Sequence, residues 1–360
     1  MSALETVRPV TLKMVAKAAK VSTAAVSYVM RGRAREMSIG AACEKRIRTA
    51  ARRLGYLGNY HAQSLALKSS RSIGMAVAAS SLSFLHSPFF SSLVSGCEQQ
   101  IRMKGYGLHM IGSPQIDEIL PLAYDNLMAR RVDGLIVFPF LHLSIPKQLM
   151  KPGLPVVFVE GQLKGNVATI GLDPAPGIDA SMRHLYDLGH RTVTWIGMRG
   201  EHTPIMGERI IRFRTMALEL GIKLEEVLLT GLTGQEDVSM REMLGAIYRV
   251  LSKEAHISLQ STAIICENDS FGLAMLKVLT DRGMRVPEDI SLIGFDDIYA
   301  LMTLPAMTTI SHRLIDIGRG AVNMILDIVE GRAGKKAAHI QVPSELIIRD
   351  STGPVRSVEL

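Results

Sequence analysis

The first 70 residues hold 13 lysines and arginines against three acids, Glu5, Glu36 and Glu44. The other 290 carry 28 basic and 31 acidic side chains. A small head with a balance of +10 on a body of −3 suits a module that meets a polyanion, although a solvated basic face has the same composition. Other chemistries lack their parts. Gly105-Tyr106-Gly107 precedes a predicted strand and has no third glycine, so no dinucleotide fingerprint forms, and GxxxxGK[ST], HExxH and GxSxG are missing. Cys43, Cys97 and Cys266 lie far apart without a CxxC and suit a reducing compartment. The ten histidines show no zinc spacing, and the twenty methionines are scattered as core fillers are. No enzyme chemistry, metal or cofactor is expected.

The elements that position the basic residues are local and short. Residues 11–30 read TLKMVAKAAKVSTAAVSYVM, with Thr11 as an N-cap before the helical rhythm Leu12, Val15, Ala16, Ala19. Ser22 offers a second N-cap before Ala25, Val26, Val29 and Met30. Two such helices joined by a short turn predict a helix-turn-helix, whose second helix enters the major groove. A third helix over about 41–54 carries Lys45, Arg46, Arg48, Arg52 and Arg53 and closes a small core through Ile47, Ala50, Ala51 and Leu54. From Ser72 the rhythm changes to short apolar strands alternating with helices. That alternation predicts parallel sheets covered on both faces, in two doubly wound lobes with a ligand between them. Apolar runs such as Leu135–Phe140 and Leu154–Val159 are strand-sized, and Glu5 and Arg8 precede any apolar run. Membrane insertion and export are therefore not expected, and a cytoplasmic protein is.

Several segments carry a family resemblance. TLKMVAKAAKVSTAAVSYVMRG, RRLGY at 52–56 and NYHAQSLALKSSRSIGMAV at 59–77 resemble the lactose-repressor (LacI/GalR) family of bacterial transcription regulators. SPFF at 87–90, RRVDGLIV at 130–137, HLYDLGHRTVTWIG at 184–197, ENDSFGLAML at 267–276, RVPEDISLIGFDDI at 285–298 and LPAMTTI at 304–310 follow in order. These resemble its periplasmic-binding-protein-like effector domain, so the resemblance covers nearly the whole chain. It implies an all-α headpiece at 1–58, a hinge helix or linker at 59–70, an α/β two-lobed body at 71–350 and a tail at 351–360. Within the body it implies an N-lobe of 71–170 and 311–337 and a C-lobe of 171–310 and 338–350.

The resemblance also implies roles. DNA contacts are expected from Thr11, Leu12 and Lys13 at the start of the first helix and from Ser22, Thr23, Ala24, Ser27 and Tyr28 on the second. Asn59 opens the hinge, and Leu65 matches a leucine that wedges between base steps in the minor groove; packing of a linker is the other reading of Leu65. Tyr28 stands where many members have arginine, which removes a bidentate guanine contact. Lys20 replaces a turn glycine, Gly58 replaces a proline before the hinge, and the loop after Gly32 is longer than usual. In the body, Phe89, Phe90, Glu160, Arg209, Asn268 and Asp296 match effector contacts. Asp296 equally suits a helix cap, Phe90 a core position, and Arg209 a partner near Glu208. Arg212 replaces a glycine, and the loop at 79–87 is longer than the family's.

Together these imply a DNA-binding transcription regulator, a repressor, that holds a pseudo-palindromic operator as a homodimer and is switched by a small-molecule effector of carbohydrate type. The chain stops at Leu360 soon after its last strand, so a tetramer-forming helix is not expected. An effector-independent regulator or activator of the same fold is the alternative. A transporter's solute-binding component would need export and would leave the basic head unexplained.

Overall fold

The computed structural model describes residues 10–56, 69–77, 88–138, 145–199, 204–230, 240–253 and 261–355, less 114, 160–162, 164–165 and 335–336. The chain divides into two compact units, 1–71 and 72–360.

In the first unit, α1 (Leu12–Ala19) starts where the Thr11 hydroxyl accepts from the Met14 N–H, and α2 (Thr23–Met30) where the Ser22 hydroxyl accepts from the Ala25 N–H at 3.1 Å. A single 3-10 turn, Ala34–Met37, buries Ala34, so the long loop after Gly32 is tied into the core. Helix α3 (Ala41–Leu54) ends at Gly55 in the left-handed region. Val15, Ala16, Ala19, Val26, Val29, Ile47, Ala50 and Ala51 form the buried centre. Arg46 links α3 to α1: its Nε donates to the Ala19 carbonyl at 3.0 Å, where the helix end is electronegative.

Lys20 closes α1 with φ +53°, its N–H on the Ala16 and Lys17 carbonyls. A side chain in that region costs about 1 kcal/mol, which glycine avoids. Lys20→Gly should therefore raise the unfolding free energy of the isolated head by roughly 0.5 kcal/mol, after the extra unfolded-state entropy of glycine is subtracted. Urea denaturation measures this, and a destabilised variant would show that the turn is held by the lysine side chain.

The second unit contains two six-stranded sheets. The elements of its first part are β1 (Ser72–Val77), α4 (Pro88–Met103), β2 (Gly107–Ile111), α5 (Ile116–Met128), β3 (Gly134–Phe138), β4 (Val156–Val159) and β5 (Ala168–Asp173). The second part has α6 (Ala175–Asp187), β6 (Thr192–Met198), α7 (Pro204–Leu220), β7 (Lys223–Leu229), α8 (Met240–Lys253), β8 (Ala263–Cys266), α9 (Asp269–Asp281), β9 (Ser291–Asp296) and β10 (Thr308–Ser311). Helix α10 (Leu314–Val329), β11 (His339–Pro343) and β12 (Glu345–Ile347) complete it. The sheet orders are β11-β5-β4-β3-β1-β2 and β12-β10-β9-β8-β6-β7, all pairs parallel except β10 with β12. Buried strands read as continuous apolar runs, as parallel sheets covered on both faces require. One buried cluster joins Met75, Ile136 and Phe138 of the first sheet to Trp195 and Phe295 of the second and to Phe213 of α7.

One expected boundary is corrected. The resemblance places residues 338–350 together in the C-lobe, but β11 pairs in parallel with β5, His339 opposite Thr169 and Pro343 opposite Asp173, and so belongs to the first sheet. The crossing falls at buried Ser344, whose N–H donates to the Asp173 carbonyl and whose hydroxyl accepts from the Gly177 N–H at 3.0 Å. The reason lies in the pattern: β11 is an almost wholly exposed edge strand, so no apolar alternation marks the sheet it joins.

Candidate nucleic-acid interface and ligand cleft

On α2 the buried positions Val26 and Val29 turn the opposite face outward. Ser22, Thr23 and Ala24 are exposed there, with Ser27 and Tyr28 half-buried. The first helical turn has no acid, so its free N–H groups and the helix dipole attract anions. The guanidinium carbons of Arg31 and Arg33 lie 5.0 and 5.8 Å from the Tyr28 ring centre. Arg31 Nε donates to the Ser27 carbonyl, and Arg33 is paired with Glu36. Short side chains at the leading positions permit close approach to base edges, and cations flank the tyrosine where the resemblance leads to expect arginine. Thr11 and Ser22 accept as caps and keep their O–H groups to donate. Lys13 is exposed, whereas Leu12 is half-buried against the head's core and serves packing. Asn59, Leu65 and Gly58 lie outside the described residues.

In the second unit, three of the expected effector residues converge. Arg209 on α7 is 8% exposed and lies over the Phe295 ring, its guanidinium carbon 4.3 Å from the centre. Asp296 ends β9 with φ +107°, followed by Asp297 at +60°, a strained corner of the kind found at ligand sites. Phe89 begins α4 and packs edge-on against Phe90 at 5.4 Å. All meet at a residue that the motif reading passed over, His312, which is fully buried between β10 of the second sheet and α10 of the first lobe. His312 Nε2 is 2.9 Å from Asp296 Oδ1 and 3.2 Å from Arg209 Nη2. The imidazole meets Phe89 and Phe295 edge-on at 5.6 and 5.0 Å. The only signal in the sequence was a histidine directly after a strand's carboxyl end, where α/β folds bind ligands.

A close helix contact sets this meeting. A Cβ on Gly318 of α10 would lie 2.4 Å from the Leu93 carbonyl of α4, so only glycine lets the two helices approach and bring Phe89 to His312. Buried Asp269 supports the Asp296 corner from below. Its Oδ2 accepts from the Ile298 and Tyr299 N–H groups at 2.6 and 3.1 Å, and its Oδ1 accepts from the Thr309 hydroxyl at 2.7 Å. Gly294 leaves room for that carboxylate, since a Cβ there would come within 2.3 Å of Oδ1.

Burial pushes the Asp296 carboxyl up to about 7, with Arg209 opposing. Burial and the Asp296 charge push Asp269 up to about 7 as well. Burial and Arg209 hold His312 well below the usual imidazole range, so it is neutral. Among the described residues, Arg209 Nε and His312 Nδ1, on side chains that meet at Nη2 and Nε2, are buried without a hydrogen-bond partner, as is the Tyr299 hydroxyl, and a hydroxyl-rich molecule would satisfy such atoms. The remaining expectations divide. Asn268 is turned to capping, its Oδ1 accepting from the Ser270 and Phe271 N–H groups at 2.9 and 3.2 Å. Arg212 is committed to Asp179, Nε to Oδ1 2.6 Å. Phe90 packs against the core, and Glu160 lies outside the described residues. His190 binds Thr262, Ser291 and the Gly353 carbonyl and joins strands to the tail.

The chain is similar to known regulatory proteins. Residues 11–59 match the family described as bacterial regulatory proteins, lacI family, and residues 182–352 match the periplasmic binding protein-like domain. The HTH-type transcriptional repressor PurR of Haemophilus influenzae (strain PittEE) is 29% identical over 349 residues, covering 95% of this chain and 98% of the relative. PurR of Pasteurella multocida (strain Pm70) is 28% identical over 347 residues, with the same coverage. Among solved structures, the Lac repressor bound to ONPG in the repressed state is 25% identical with a TM-score of 0.73, covering 96% of this chain and 100% of that one. A LacI family transcriptional regulator from Bifidobacterium animalis subsp. lactis is 26% identical with a TM-score of 0.62, covering 80% and 100%.

Proposed function

Because the chain belongs to the lacI family of bacterial regulatory proteins, we propose that this DNA-binding regulator is a cytoplasmic repressor, not an enzyme. Its helix-turn-helix reads one half of a pseudo-palindromic operator, and a homodimer reads both halves. The observation that carries this is the outward face of α2, exposed at Ser22, Thr23 and Ala24 and half-buried at Ser27 and Tyr28, on a head of strongly positive charge. One small head holds a natural site weakly, whereas two joined heads gain effective concentration. Leu301, Met302 and Leu304, 75, 84 and 96% exposed, form an apolar patch of the kind that self-association covers. We assign residues 1–58 to the DNA-binding head, 59–70 to the hinge, with Asn59 and Leu65 at the minor groove, and 71–350 to effector binding. A small molecule held by Arg209, Asp296 and Phe89, with Glu160 at the rim, shifts the lobes and thereby the two heads. It acts only through its different affinity for the two states. A flat ring and charged hydrogen-bonding partners suit a sugar or sugar derivative.

Selection of the full chain from random duplex DNA tests this. The expected product is an inverted repeat whose binding weakens steeply with salt. Recovery of unordered sequence at equal affinity would replace the operator reading with nonspecific binding.

A further inference from the structure

We propose that His312 is a specificity-determining residue of the cleft: it offers Nδ1 as a bare acceptor, which a ligand completes by donating from a hydroxyl or N–H group. The proposal rests on the effector reading of the cleft and adds the polarity that the effector must present.

A neutral imidazole carries one N–H. Against Asp296 Oδ1 at 2.9 Å an ionised carboxylate only accepts, so the hydrogen must sit on Nε2. The competing arrangement puts a protonated Asp296 and Arg209 Nη2 both onto a single Nε2 lone pair, and one lone pair accepts one good bond. Above pH 7, where Asp296 is ionised with Arg209 beside it, the first arrangement satisfies the shorter contact, to Asp296 Oδ1, and leaves Arg209 Nη2 as a further donor to the ligand. Nδ1 is then a lone pair, fully buried and without a polar partner among the described residues, which a protein does not maintain without cost. Phe89 and Phe295 press on the ring edge-on and prevent it from turning to find another partner. Arg209 Nε, equally buried and unpartnered, is the complementary donor. The ligand that satisfies both carries a donor and an acceptor close together, as the adjacent hydroxyls of a sugar do, and a donor-free analogue fails at His312.

The placement links binding to protons. Asp296 faces Arg209 from α7, His312 from the segment after β10, Asp269 from α9 and the Tyr299 hydroxyl from the following turn, while Asp297 is paired with Arg349. With the free carboxyl at about 7, a ligand that locks the Nε2–H tautomer holds Asp296 ionised and releases a proton below that pH. Affinity then falls about tenfold from pH 8 to pH 6.

Two measurements on the full chain decide the matter. Imidazole 15N shifts at pH 8, where Asp296 is ionised, with His312→Gln for assignment, should show a neutral ring protonated at Nε2. A ring protonated at Nδ1, or an imidazolium, overturns the proposal whether or not a ligand is known. Calorimetry with D-ribose, D-glucose and cellobiose, each beside its fully O-methylated form, gives the second. Any saccharide that binds should lose at least tenfold on O-methylation and on His312→Phe, and should show the pH slope. Binding that His312→Phe leaves unchanged overturns the proposal. If none of the three binds, the carbohydrate reading of the effector fails, and the 15N result still decides the polarity of His312.

Discussion

Asp296→Asn should stabilise the ligand-free body while removing its response to effector. The wild-type carboxyl stands at about 7 in the fold against an ordinary 3.8, so the folded state holds its proton more tightly than the unfolded chain does. Stability from this group is complete below pH 4 and is lost as pH rises towards and past 7, where the buried charge must be carried. The full shift corresponds to about 4 kcal/mol, and because the side chain is 15% exposed we discount it to about 2 kcal/mol. Asparagine keeps an acceptor for His312 Nε2–H and tolerates the strained corner nearly as well. Urea unfolding should therefore show Asp296→Asn more stable above pH 7 and equal to wild type near pH 4. Its companion Arg209→Ala removes a charged hydrogen bond worth about 1.5–3 kcal/mol, at least a tenfold loss of effector affinity. Both variants should retain operator binding without effector. Wild-type effector affinity in both would place the ligand elsewhere.

Removing residues 1–71 should lower operator affinity by roughly a thousandfold or more, to the level of nonspecific binding. The cut falls at the boundary between the two compact units, and residues 72–360 retain both sheets and every residue around His312. The truncated body should fold and bind effector as the full chain does. A gel shift on the selected operator measures the loss, and calorimetry the retained binding. Selective operator binding by the truncated body would move the recognition surface out of the head.

Much of the fold was legible because its causes are local. Thr11 and Ser22 mark helix starts by capping chemistry that needs only the next three residues. Ala41–Leu54 is helical by the period of its apolar side, and buried strands such as Gly134–Phe138 announce themselves as apolar runs. The family motifs supplied the order of these pieces and drew attention to Arg209, Asp296 and Phe89.

Contacts between distant residues were decided by topology alone. Arg209 and His312 stand 103 positions apart, and Thr309 reaches Asp269 across 40, so no spacing marks them as neighbours. The parallel order of β8, β9 and β10 brings them to one sheet end. Asn268 had the residue type of a ligand contact, yet its position before α9 commits its oxygen to the helix. β11 carried no pattern to assign it, because an exposed edge strand buries neither face. By itself the sequence determined which segments are helices and strands and where the positive charge lies, since these follow from neighbours along the chain. Only the tertiary structure decided which polar groups share a low-dielectric interior, and with that the unpaired nitrogen of His312 and the raised carboxyl of Asp296.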